Sequence, residues 1–211
     1  MFKTMLADIR AVEKNDPAAS NVVETLFCHT PLHAIFLHRI AHALYRLGLP
    51  VVPRMISVAA RFWTGVEIHP GAQIGPGFFI DHGTGTVIGQ TAVIGRNCVL
   101  FHNVTLGGTG KHHGKRHPTL EDNVYVGTGA VVLGPVTIGR NARVGAESFI
   151  FMKDVPADCT VVGTPARIVR QYGRKVDLEL PPCRFPVPDV VHTPEVVKRP
   201  VDAAAAGESL A

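Results

Sequence analysis

Nowhere in these 211 residues do eighteen apolar side chains follow one another, so the chain offers no stretch suited to crossing a membrane. Its N-terminus, MFKTMLADIRAVEKND, lacks the apolar region of a secretory signal, and the expected location is cytoplasmic. Four cysteines (Cys28, Cys98, Cys159, Cys183) stand without any CxxC spacing, which favours reduced structural thiols over a zinc site or a disulfide. A dense basic stripe is also missing. The net charge of +4 and pI near 9.0 suit a small anionic ligand, and nucleic acid is not an expected partner. What the chain does have is apolar content: 46% of residues, enough to bury a sizeable core.

Residues 1–65 read as helical. Asp16 before Pro17, and Thr30 before Pro31, have the form of an N-cap followed by a first-turn proline. After Pro31 the set Leu32, Ile35, Phe36, Ile40, Ala43, Leu44 and Leu47 keeps helical spacing up to Gly48, and Pro53 opens a further helix to about Phe62. His38 and His42 lie four apart on the first of these helices. With no third ligand near, they are expected to pack or meet solvent.

From Val66 to Arg170 the period changes to six. Ile68, Ile74, Ile80, Ile88, Ile94, Leu100, Leu106, Val126, Val132, Ile138, Val144, Ile150, Val162 and Ile168 recur at that interval, with Pro156 as the one exception. Period six is neither helix nor alternating strand; it is the hexapeptide β-helix repeat, whose units bury their apolar side chains only when stacked. Three units close a triangular coil, so fifteen positions predict five coils. Two interruptions break the register, one between Ile80 and Ile88 and one between Leu106 and Val126. The second, rich in Gly, Lys, Arg and His, predicts a loop thrown out over 107–123. The last stretch, 171–211, is dense in proline without periodicity and predicts an extended, disordered tail. The expected domains are therefore 1–65, 66–170 and 171–211.

A β-helix alone specifies no chemistry. The polar residues at its interruptions carry more: Glu67 and His69 in EIHP, Asp81 and His82 in IDHGTG, His102 in LFHNVTLGGTG, Arg116 and His117 in KRHP. Of these, His69 and His102 are expected to sit at corners and bond the backbone.

From Asp16 to Arg167 these motifs resemble the serine O-acetyltransferases of the hexapeptide-repeat acyltransferase group. The matching stretches are DPAA at 16, LHAIFLHRIAHALY at 32, EIHPGAQIG at 67, IDHGTG at 80, NVTLGGTGK at 103, KRHP at 115 and VVGTPARIV at 161. VTLGGTGK followed by RHP is the most specific; GTPARIV marks only the broader acyltransferase group. The resemblance implies a mainly β fold, a left-handed parallel β-helix preceded by a small α-helical region. It also implies that His82 is the general base for the serine hydroxyl and that Glu67 orients it, although many members have Asp there. Fifteen residues separate the two, slightly less than one eighteen-residue coil, which would bring them to one corner about 5 Å apart.

By the same resemblance, Arg116 and His117 hold the serine carboxylate, and Asp16 and Asp81 its ammonium. Gly107, Gly108 and Thr109 present amides to the oxyanion. Gly127, Thr128, Ala130 and Ala146 flank the pantetheine arm, with Lys153 or Arg167 near the nucleotide phosphates. Acetyl-CoA is the implied co-substrate, with no metal and no tightly bound cofactor. L-Serine is the implied acceptor, L-cysteine a competing inhibitor and a homotrimer the assembly, with a hexamer as runner-up. Members often dock a terminal Ile into O-acetylserine sulfhydrylase; this chain ends Leu210-Ala211, so weak or no binding is expected.

Other readings are acetyl transfer to a sugar or antibiotic hydroxyl, a zinc hydratase on the same prism with His82, His112 and His117 as ligands, and a prism without activity. The N-terminal DPAA region weighs against the first. The cations Lys111, Lys115 and Arg116 weigh against the second, and the clustered polar residues against the third.

Overall fold

The computed structural model describes residues 2–49, 51–110 and 113–185. Four helices come first: α1 (Phe2–Asn15), α2 (Val22–Cys28), α3 (Thr30–Arg46) and α4 (Val52–Thr64). Both predicted N-caps shift. Asp16 does not open a helix; its carboxylate accepts from the Ala18 amide in a turn, and α2 starts six residues later with Asn21 as its cap. At α3 the cap is His29 rather than Thr30, its Nδ1 facing the Leu32 amide at 3.3 Å, so the imidazole serves as the side-chain acceptor one residue earlier. Gly65, at φ 73°, ends α4 and turns the chain into the prism. Among the described residues, no helix is long and apolar enough to cross a membrane.

The prism has five coils. The first is β1 (Glu67–Ile68), β2 (Gln73–Ile74) and β3 (Phe79–Ile80), and the second β4 (Val87–Ile88), β5 (Val93–Ile94) and β6 (Val99–Leu100). The third is β7 (Thr105–Gly107), β8 (Thr119–Leu120) and β9 (Tyr125–Val126), and the fourth β10 (Val131–Leu133), β11 (Thr137–Ile138) and β12 (Arg143–Val144). The fifth is β13 (Phe149–Phe151), Val155 bridged to Ile138, and β14 (Cys159–Val162). Stacking in parallel register gives three walls: a first sheet β1-β4-β7-β10-β13, a second β2-β5-β8-β11, and a third β3-β6-β9-β12-β14. One aliphatic residue per strand points inward, and these residues form one continuous buried cluster. The fold is the expected left-handed β-solenoid with a helical N-terminal region.

The count of five coils holds, although its inward positions change at Leu120, at Val155 and Val161, and at Ile168. Leu120, within the segment read as loop, is buried in β8 and pairs with Ile94 and Ile138, so the excursion narrows to 108–118. After Ile150 the inward phase moves back by one: Val155 and Val161 are buried, while Pro156 and Val162 face outward. The proline exception thus lies off the core column. Ile168 belongs not to a coil but to β15 (Arg167–Gln171), which pairs antiparallel with β14 and with β16 (Arg174–Glu179). Regular structure therefore runs beyond 171, because Leu180 and Cys183 still pack on the core. Residues 186–211, including Leu210 and Ala211, lie outside the described residues.

All four cysteines are free, with Cys98 and Cys159 buried and Cys28 exposed. Buried Asp8 fastens α1 to the prism. It accepts from the Gly77 and Phe78 amides at 2.9 and 3.1 Å and from Arg39 of α3, which also donates to the Ile74 and Gly75 carbonyls.

Candidate active site

The corners joining the third sheet to the first form one edge of the prism, and the two-residue insertion after Ile80 lies there. It carries Asp81 and His82 between β3 and β4. His82 adopts φ 59°, and its side chain is 75% exposed, with Nε2 3.8 Å from Asp81 Oδ1. Directly along this edge, His102 meets the His82 ring edge-on, with centroids 5.7 Å apart. His102 Nδ1 is buried and has no hydrogen-bond partner, so it does not bond the backbone through that nitrogen as expected.

Packing of the helices against this edge leaves an open pocket of about 500 Å3 lined by Asp16, Cys28, His29, Asp81 and His82 among others. The predicted ammonium ligands and general base are therefore brought together. His29 was not foreseen here. Burial pushes its imidazole below the usual range, while Asp16 and Asp81 pull it upward. Further down the same edge come the corners at 127–130 and 145–148, which contain Gly127, Thr128, Ala130 and Ala146.

Glu67 begins β1, in register with Val87, which comes just after the corner that carries His82; the two-residue insertion lengthens that coil beyond eighteen residues. Its carboxylate pairs with Arg61 of α4 at 2.9 Å.

Arg116 and His117 occupy another edge, where the first sheet turns into the second. Thr91 organises them: its hydroxyl accepts from the Arg116 and His117 amides at 3.0 and 3.1 Å. The same hydroxyl lies 2.9 Å from His117 Nδ1, and the Thr91 amide faces that nitrogen at 3.3 Å. An amide can only donate, so Nδ1 accepts and the proton sits on Nε2. Burial, with Arg116 and Lys115 nearby, lowers His117 to about 4. It is neutral at physiological pH and presents an N–H, while Arg116, hydrogen-bonded to Gln90 Oε1 at 2.6 Å, supplies charge. Lys115, lowered by burial to about 8, ties the loop to the Thr91 and Pro118 carbonyls. His69, on the first coil of this edge, accepts from the Gly71 amide as expected of a corner histidine.

Neither Gln90 nor Thr91 belongs to a recognisable motif; the only signal available was their place on the corner one coil before the excursion. Gly107 ends β7 and Gly108 and Thr109 begin the excursion on this edge, and Lys153 lies at the far end of the edge. Arg167 sits instead on β15, paired with Asp177 at 2.7 Å and Glu179 at 3.6 Å. His82 and His117, two members of the alternative zinc set, lie on separate edges, and the third, His112, is outside the described residues. Among the described residues, no three His, Cys, Asp or Glu side chains are grouped to hold a metal.

The Bacterial transferase hexapeptide (six repeats) model matches residues 117–151, which places the prism among the hexapeptide-repeat transferases. Serine acetyltransferase from Synechococcus elongatus is 55% identical over 177 residues, spanning 84% of this chain and 72% of the relative. A crystal structure of Neisseria gonorrhoeae serine acetyltransferase in complex with serine has a TM-score of 0.77 at 41% identity, covering 80% of this chain and 69% of that one. The enzyme from Brucella abortus in complex with coenzyme A has a TM-score of 0.78 at 39% identity, covering 81% and 68%. The chain belongs to the serine acetyltransferase family.

Proposed function

We propose that the protein transfers acetyl from acetyl-CoA to the L-serine hydroxyl, releasing O-acetyl-L-serine and CoA, with His82 as general base. In this reading Asp16 and Asp81 hold the serine ammonium, and Arg116 and the Nε2–H of His117 hold its carboxylate. His82 takes the hydroxyl proton as the serine oxygen bonds to the thioester carbon. The oxyanion that develops is met by amides of the Gly107-Gly108-Thr109 segment. When the C–S bond breaks, the departing thiolate takes the proton back from His82. Glu67 acts on His82 only after exchanging its partner Arg61, and Lys153 is the better placed of the two candidate phosphate ligands because Arg167 is already paired.

One observation carries the assembly: the two halves of the site occupy the two edges that bound the first sheet. A single copy cannot close the site, whereas three copies around an axis facing that sheet bring His82 of one against Arg116 of the next. The outward face of the first sheet carries Val87, Val131 and Phe149 beside Glu67 and Thr105, and Phe149 stacks on Phe151. Beside it α4 exposes Met55, Val58 and Phe62, the last at 87%. Such a face favours burial between copies over solvent. We therefore infer a homotrimer in the cytoplasm, with L-cysteine competing for the same charged groups.

Thiol release from acetyl-CoA with L-serine, against a panel of sugars, tests the acceptor; turnover with sugars alone would overturn it. His82→Ala should lower kcat by about 10² to 10⁴ with acetyl-CoA binding retained. Glu67→Gln should cost less, about tenfold. Light scattering that reports an active monomer would refute the shared site.

A further inference from the structure

On the edge where the second sheet turns into the third, α1 lies along the prism and leaves a cleft of about 490 Å3. Three cations reach it, Arg10 and Lys14 from α1 and Arg143 from β12, and no Asp or Glu lines it. None of the three makes an ion pair among the described residues. Asp122, next to Asn123 on the same corner but not lining the cleft, is held by Arg96 at 2.9 Å.

The arrangement follows from two repeats meeting. Along α1, Ala7, Arg10, Ala11 and Lys14 fall on one face, so small side chains open the space and long basic ones flank it. On the prism side, corners in left-handed backbone place Asn97 and Asn123 one above the other, their side chains bonded in a ladder that continues to Asn141. Arg143 lies over the Tyr125 ring, 5.4 Å from its centroid, which restrains the guanidinium. The cleft thus combines three positive charges with amide donors in a volume of small-ligand size.

We propose that this cleft is a second ligand site, separate from the acetyl-transfer site, for a small phosphate-bearing anion. Phosphate suits it better than a lone carboxylate because three positive charges converge from two elements on opposite walls, more than a single carboxylate neutralises. In the trimer proposed above the first sheet faces the axis, so this edge faces outward and the cleft stays open. Its other consequence is coupling. Lys14 and Asn15 line the cleft, and the next residue, Asp16, lines the pocket with His82. An anion that clamps the end of α1 against the prism also steadies Asp16, and serine should bind more tightly.

Calorimetry on the full-length protein at fixed low ionic strength, with inorganic pyrophosphate as the probe, tests the site directly and does not depend on which acceptor is correct. Saturable binding in the submillimolar range is expected, unchanged by saturating CoA and weakened at least tenfold in Arg10→Gln and Arg143→Gln, both of which should keep full turnover without pyrophosphate. Saturating pyrophosphate should lower the serine KM about two- to threefold and leave that for acetyl-CoA unchanged. Absence of saturable binding, loss of binding when CoA is added, or equal binding by both variants would overturn the proposal. Binding without any change in serine KM would overturn the coupling through Asp16.

Discussion

The ring of His102 meets that of His82 at 81°, one coil further along the same edge. For an exposed imidazole on a left-handed corner, this contact and Asp81 are what limit its rotation. His102→Ala should therefore lower kcat several-fold with little change in serine KM, and His102→Phe, which keeps a ring there, should restore most of it. Equal loss in both variants would point to the unpartnered Nδ1 instead.

Gly89 is the floor under His117. A Cβ at residue 89 would come 2.0 Å from the His117 ring, so Gly89→Ala must displace the imidazole, although the backbone there admits alanine. The serine KM should rise at least tenfold while the acetyl-CoA KM moves little. Steady-state kinetics with each substrate varied separately checks this.

Acid should unfold the protein earlier than its carboxylates alone would require. Burial lowers His38 to about 3, and burial lowers His69 and His117 to about 4. The unfolded chain takes up these protons near pH 6.5 and the folded chain does not. Stability is therefore present in full above about pH 6.5 and falls as pH drops toward 4. Thermal unfolding between pH 7 and 4.5 should show Tm declining through this window, and His38→Phe should flatten the decline.

Removing Asp8 strands Arg39 in the interior. Asp8→Ala should cost about 3–5 kcal/mol, the usual penalty for leaving one charge of a buried pair uncompensated. Urea unfolding measures it, and Arg39→Met in the Asp8→Ala background should recover part of the loss.

Most of the prism was legible because one inward aliphatic residue per strand leaves a period that no helix or ordinary sheet shares. What escaped were breaks in that period that conserve the count. Leu120 hides behind a Gly- and Lys-rich excursion, and the shift to Val155 and Val161 is masked because Pro156 and Val162 keep the old interval. The motifs named candidate site residues but not their arrangement on the prism. The spacing of Glu67 and His82 assumed an eighteen-residue coil, but the insertion that carries His82 lengthens that coil. Thr91, which sets the His117 tautomer, is an ordinary corner threonine until the excursion folds over it.

Placing His82 and Arg116 on different edges has a genetic consequence. A chain damaged at one edge still carries the other intact. In the trimer proposed above, subunits bearing His82→Ala mixed with subunits bearing Arg116→Ala would pair a sound His82 edge with a sound Arg116 edge at some interfaces. Two alleles, each inactive alone, would then complement one another within a single cell, and each would be only partly dominant over the wild type.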